Sequence, residues 1–130
     1  MALYGKLDVD IEVALDSDYK NLLFKMTDDT LNTVIRTDLT VHSAGVAQVA
    51  ASPGTFTVPM GDVLTGNLVV IKSDKEIRVT LNGGAEYVTV KPSGSYKGCL
   101  VLHGEITAVS VANQATAAAQ VEYCIVGAES

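Results

Sequence analysis

The sequence predicts an all-β fold, an antiparallel β-sandwich or jelly-roll-like barrel of roughly eight to ten short strands. Three observations carry that reading. Apolar and polar residues alternate with period two early in the chain, runs rich in Val, Ile and Thr recur at close spacing to its end, and a glycine pair joins two of those runs as a tight turn would. The 130 residues are 48% hydrophobic and 18% charged, which suits one β-sandwich domain over 1–130 with a filled core and excludes a chain too polar to fold.

The first element is the plainest. Leu7, Val9, Ile11, Val13 and Leu15 fall on one side of an extended chain, and Asp8, Asp10, Glu12 and Ala14 on the other, the pattern of a strand with one wet face. Residues 17–27 depart from it. Ser17 or Asp18 would cap one short helix whose apolar stripe is Tyr19, Leu22, Leu23 and Met26, and an irregular strand and loop fits the same residues. Further strands are expected at 33–41, 46–50, 55–58, 68–72, 76–81, 87–91, 99–103, 107–111 and 119–126.

Within that series, one register of 76–81 against 87–91 pairs Val79 with Val88 and Ile77 with Val90, and sets Glu76 opposite Lys91. Gly83 and Gly84 are expected to supply the positive φ values of the turn. Residues 68–71 and 99–102 are apolar on both sides, as suits central strands or strands that face a neighbouring subunit. The small residues of 113–119 read as an exposed loop before the last strand.

Catalysis and ligand binding each require a constellation, and the search for one ends in structural readings. The two histidines are His42 and His103, and His103 shares a strand face with Cys99. Four residues along a strand span about 13 Å, too far for a nucleophile and its base. Cys99 and Cys124 stand 25 positions apart, without the close pairing of a zinc site, and read as buried free thiols. Asp8, Asp10 and Glu12, like Asp28 and Asp29 before Thr30, fall short of a calcium loop and read as a solvated acidic face. Gly61 and Gly66, like Gly94 and Gly98, lie between strands and make turns, since a phosphate cradle would precede a helix. Tyr87 and Tyr96 are the nearest candidates for a sugar platform, with packing their expected role. The expectation is a protein that is not an enzyme and has no catalytic, cofactor-binding or metal site.

A net charge of −6 and a pI near 4.7 disfavour a nucleic-acid partner, because such binding draws on clustered cations that neutralise phosphates. No apolar run approaches the roughly 20 residues of a membrane-crossing helix, and no basic-then-apolar leader follows Met1. Synthesis in the cytoplasm without a signal peptide, and no membrane partner, are the expectations. Residues 1–65 hold nine acids and four bases, and residues 66–130 six and five. That split suggests an acidic first strand facing the more basic 72–97 region of another protomer.

The pattern of about residues 62–127 resembles the small all-β virion structural proteins of tailed bacteriophages. Five pieces carry the resemblance: the strand pair with its Asn-Gly-Gly turn at 76–91, the apolar strand ending in glycine at 98–104, the Thr-Val-Ser strand at 106–111, the small polar loop at 113–118, and the terminal strand at 119–127. It implies a virion subunit made in the host cytoplasm, most specifically a capsid accessory or decoration protein, with a tail or head-fibre component as the alternative. It also implies contact with major capsid or tail proteins, self-assembly into a symmetric oligomer with a trimer favoured, and no cofactor. A carbohydrate- or receptor-binding β-sandwich module is the competing reading of the residues.

Overall fold

Twelve strands joined by turns and loops, with no helix, make up the described residues of the computed structural model, which are 3–8, 12–14, 22–25 and 33–129, with side chains from residue 39 onward. The chain runs β1 (Leu3–Asp8), β2 (Glu12–Ala14), β3 (Leu22–Lys25), β4 (Thr33–Leu39), β5 (Val41–Val49), β6 (Thr55–Thr57), β7 (Thr65–Ser73), β8 (Ile77–Leu81), β9 (Tyr87–Val90), β10 (Gly98–Ile106), β11 (Val109–Asn113) and β12 (Ala119–Ala128).

Strands β5 to β12 form two antiparallel sheets in the orders β5-β12-β7-β10 and β6-β11-β8-β9. One pairing rule generates both. β5 pairs with β12, β6 with β11, β7 with β10 and β8 with β9. The chain is therefore a long double ribbon whose closed end is the β8–β9 hairpin, rolled so that β5, β6, β7 and β8 land in alternate sheets. Ladders between β7 and β12 and between β8 and β11 stitch the roll together. This is the strand order of a double-sheet jelly roll. The sheets do not close into a barrel, since β5 and β10 remain the edges of one and β6 and β9 the edges of the other.

Alternation explains why the two sheets meet. Val69 and Ile71 of β7 and Val121 and Ile125 of β12 face Ile77 and Val79 of β8 and Val109 and Val111 of β11 in one core cluster, each no more than 1% exposed. Branching at Cβ suits these residues to extended backbone, and their burial supplies the main stabilisation, about 2 kcal/mol for each side chain removed from water. The rings of Phe56 on β6 and Tyr123 on β12, with centroids 6.0 Å apart, bridge the sheets beside that cluster.

Two backbone junctions are closed by a single residue each. Asn113, fully buried at the end of β11, donates through Nδ2 to the carbonyls of Val49, Ala50 and Ala117 at 3.1, 3.1 and 2.9 Å. Its Oδ1 accepts from the Ala115 amide at 2.9 Å, and its own N–H donates to the Gly54 carbonyl at 2.9 Å. The expected exposed loop at 113–119 is thus anchored at both ends, for Ala119 is also fully buried and only Thr116, Ala117 and Ala118 are exposed. At the other end of β12, a register shift sets Gly127 against Gly66, and the Gly127 carbonyl accepts from the Thr40 amide at 2.9 Å.

The β8–β9 hairpin has the register expected of it, with Ile77 opposite Val90 and Val79 opposite Val88. The ladder ends at Ile77 and Val90, so Glu76 and Lys91 fall beyond it. The turn differs in one detail. Its positive φ values belong to Asn82 at 55° and Gly83 at 68°, not to Gly84. Asparagine tolerates the left-handed region better than most residues, and here its side chain does more. Asn82 Oδ1 accepts from the Thr107 amide at 2.7 Å and its hydroxyl at 3.2 Å, and Nδ2 donates to the Glu105 carbonyl at 3.3 Å, which ties the turn to the β10–β11 corner. Asn82→Ala is expected to cost about 2 kcal/mol in urea unfolding, and Asn82→Gly about 1 kcal/mol, because glycine restores the backbone preference but not the hydrogen bonds. Equal losses in the two variants would show that the backbone angle contributes nothing.

The N-terminal quarter departs from expectation. Of the two readings of 17–27, the short helix does not form where the chain is described and the strand does: Leu22–Lys25 is β3, paired antiparallel with β2 through Glu12 opposite Lys25 and Val13 opposite Phe24. Residues 17–21 and 26–27 lie outside the described residues. Pairing satisfies the backbone of this short apolar run across the strand, where a helix would have needed a longer run to nucleate. The strand expected over 7–15 divides, since β1 pairs with β4 and β2 with β3. The stretch expected to run from 33 to 41 ends at Leu39, and β5 begins at Val41 and absorbs the strand expected at 46–50.

Candidate functional surface

The outward faces of the two sheets have opposite chemistry. On the β6-β11-β8-β9 sheet, Thr57, Ser110, Thr80 and Tyr87 lie in one cross-strand row and Thr55, Ala112, Arg78 and Thr89 in the next. Hydroxyls dominate, and the Arg78 guanidinium sits 4.3 Å from the centre of the Tyr87 ring in a cation–π contact. This is a face built for water.

On the β5-β12-β7-β10 sheet, the outward rows are Val46, Glu122, Lys72 and Cys99; then Ala44, Cys124, Val70 and Val101; then His42, Val126, Leu68 and His103. The middle row is apolar throughout, and the third is apolar on its two inner strands. Val46 is 60% and Val101 42% exposed, and Leu68, Val70, Cys124 and Val126 are half-buried. A shallow hollow of about 330 Å³ opens on this face, lined in part by Ala44, Val46, Val70 and Cys124. Isolated apolar residues are ordinary on a surface, but a contiguous patch rimmed by charge marks a place where something binds.

An ion pair marks one end of the face. Lys97 Nζ lies 2.7 Å from Glu122 Oε1, and Lys72 is the cross-strand neighbour of Glu122. Lys97, by hydrogen bond and charge, holds the Glu122 carboxyl below its ordinary range, with Lys72 adding to the effect, while Glu122 raises the Lys97 ammonium above its own. The sign follows from those directions. The pair's stabilisation is present at neutral pH, fades as pH falls through the lowered Glu122 value, and fades again as pH rises through the raised Lys97 value. Both groups are exposed, so the pair orients the surface more than it stabilises the fold.

The residues examined for chemistry are dispersed. Cys99 and His103 both point outward from β10 but lie opposite Lys72 and Leu68 respectively, two outward rows apart. Cys99 is exposed and Cys124 half-buried, both as free thiols, so the expectation of burial fails for Cys99, because β10 is an edge strand with its outer side uncovered. Burial raises the Cys124 thiol above its ordinary range. In native protein near neutral pH, maleimide is expected to modify Cys99 first and Cys124 at least about tenfold more slowly, with the gap narrowing as pH rises. Equal rates by mass spectrometry would contradict the environments described.

Among the described residues no cluster of His, Cys, Asp and Glu could hold a metal ion. Asp8 ends β1 and Glu12 opens β2, strands with different partners, while Asp10, Asp28 and Asp29 lie outside the described residues. Tyr96, 79% exposed, sits in a turn closed by a bridge to Ser93, and Tyr87 has one ring face covered by Arg78. Sequence reasoning found the apolar excess of 68–71 but not the face it belongs to, which is assembled from β5, β7, β10 and β12, with paired residues as distant in sequence as His42 and Val126. Comparison with protein-family models, with curated proteins and with solved structures yields no match to this chain.

Proposed function

We propose that this chain is a non-enzymatic structural subunit of a tailed-phage particle, most specifically a capsid accessory or decoration protein that assembles with copies of itself and contacts the major capsid or tail proteins. One observation carries the reading: the contiguous apolar outward face of the β5-β12-β7-β10 sheet, which suits burial against protein better than exposure to water. The jelly roll supports it by analogy alone, since this fold serves capsid proteins but also lectins. The placement in a virion rests on the resemblance of residues 62–127.

The test is location. Particles purified from cells making this chain are imaged by electron cryo-microscopy and decorated with an antibody against it. Density on the capsid shell is the expected result. Density confined to the tail selects the tail or head-fibre form of the proposal, and recovery of the chain only in unassembled fractions overturns it. Saturable binding on a glycan array, with Tyr87 or Tyr96 substitutions abolishing it, would favour the sugar-binding reading instead.

A further inference from the structure

We infer that two copies of this chain pack face to face through the apolar outer side of the β5-β12-β7-β10 sheet, about a two-fold axis that runs nearly along the strands between β7 and β12. The inference deepens the proposal of a self-assembling subunit by naming the surface and the symmetry, and it stands on the arrangement of that face.

An axis lying in the interface along the strands keeps each row at its own height and reverses its order across the sheet. Placed between the neighbouring strands β7 and β12, it sets every β7 residue against the β12 residue of its own row. Val70 then meets Cys124 of the partner subunit, and Leu68 meets Val126 of the partner subunit. In the remaining row, Lys72 meets Glu122 of the partner subunit and Glu122 meets Lys72 of the partner subunit. Together with the Lys72–Glu122 neighbours already present in each sheet, the four charges form a square of alternating sign. The face is complementary to itself in charge and in apolar character at once.

Other axes fail this test. An axis across the strands through the apolar middle row would set the Lys72–Glu122 row against the row of His42, Val126, Leu68 and His103, which places charges on the Val126 and Leu68 side chains. A three-fold arrangement cannot bury a flat sheet against its own copy, because only a two-fold makes the same patch serve both sides.

Scale agrees. Three rows on four strands, spaced about 6.8 Å along and about 4.8 Å across, give a footprint of roughly 400 Å² per copy, and side-chain relief brings the total buried to about the 1,000 Å² of a small specific interface. Aligned sheets pack about 30° apart, which a two-fold axis inclined about 15° to the strands produces. The opposite outward face, rich in Thr and Ser, lacks these properties, and the two faces of the sandwich are thereby assigned different neighbours: a second copy on one, water or an unlike surface on the other.

The test uses two charge reversals and their mixture. Wild-type protein at about 100 µM is expected to sediment as a dimer in analytical ultracentrifugation. Lys72→Glu leaves the row with acids only and Glu122→Lys with bases only, Lys97 beside position 122 being common to both, so each variant alone is expected to lose at least about tenfold in dimer affinity. Mixed in equal amounts, the acidic and basic variants are expected to form a heterodimer, since every facing pair is then opposite in sign. Circular dichroism matching wild type shows that the fold is intact, and restoration on mixing is a result that misfolding cannot produce. A monomeric wild type at this concentration, a trimer, or variants that dimerise as well as wild type would each overturn the inference. None of these results bears on whether the chain is found in particles, so failure here is distinguishable from failure of the virion proposal.

Discussion

Gly127→Ala is expected to destabilise the protein by about 4 kcal/mol, a large share of the roughly 5–15 kcal/mol that holds a domain of this kind folded. A methyl group built on Gly127 would lie 1.9 Å from the Thr65 carbonyl oxygen, 2.8 Å from its carbon and 2.9 Å from the Gly66 Cα. All three atoms are backbone, so no side-chain rotation relieves the overlap. Relief requires β7 and β12 to part by more than about 1 Å, which breaks the end of their ladder and strains the Thr40 to Gly127 hydrogen bond that leads β4 into β5. Thermal unfolding of the variant should show a fall in Tm of roughly 15 °C or more, at several °C for each kcal/mol in a chain of this size. A loss below about 1 kcal/mol would mean that the end of β12 peels away at little cost and that the junction is not a structural constraint.

Asn113→Leu is the second substitution with a large expected effect, about 4 kcal/mol. Leucine keeps the branched outline of the side chain, with bulkier terminal groups, and removes every polar atom. The carbonyls of Val49, Ala50 and Ala117 and the amide of Ala115 then lose their partner where no side-chain atom replaces it, and each such group costs about 1–3 kcal/mol if water cannot reach it. Asn113→Asp separates hydrogen bonding from shape. Its carboxylate can still accept from Ala115 but would point negative charge at three carbonyls, so it folds best when protonated. Its folded-state pKa is therefore raised, and relative to wild type the variant should be more stable near pH 4 than near pH 7, where the unfolded state gains by ionising. A variant with equal deficits at both pH values would show that the carboxyl has rotated to solvent and that the junction tolerates its loss.

The two predictions concern residues that differ in how far the chain announces them. Alternation in 76–81 and 87–91 makes the β8–β9 hairpin readable, register included, because its contacts are local and its turn chemistry sits beside them. Asn113 reads as the opening of a small, exposed loop, since its partners Val49 and Ala50 lie more than 60 positions away and nothing near it signals them. Asn82 is legible as a turn residue and illegible as the tie to Thr107 and Glu105, for the same reason. The strand Leu22–Lys25 hides behind a helical spacing of apolar residues, a pattern too short to decide between the two backbones without knowing that β2 lies alongside.

The candidate surface was half legible. Apolar residues on both sides of 68–71 and 99–102 pointed to strands covered twice or facing a neighbour. For β7 this accords with a central strand, while β10 is an edge, so its apolar outer side is not explained by cover within the sheet. What no linear reading supplies is the row structure that puts Lys72 beside Glu122, Val70 beside Cys124 and Leu68 beside Val126, because row order depends on strand order. The acidic first strand, expected to meet the 72–97 region of another protomer, begins in β1, and its side chains lie outside the described residues.

The position of β12 between β5 and β7 carries a consequence for the order of events during synthesis. β5 has no other partner in its sheet, and β7 has β10 on one side only, until residues 119–128 arrive. A nascent chain that has emitted everything up to β11 therefore holds one unpaired nine-residue strand and one half-paired strand, each with open hydrogen-bonding groups along its length. Long-range closure of this kind is slow, and exposed strand edges are where nascent chains adhere to one another. Premature termination before Ala119 should thus give an aggregating product instead of a smaller folded one, because β12 is the strand that joins β5 to β7.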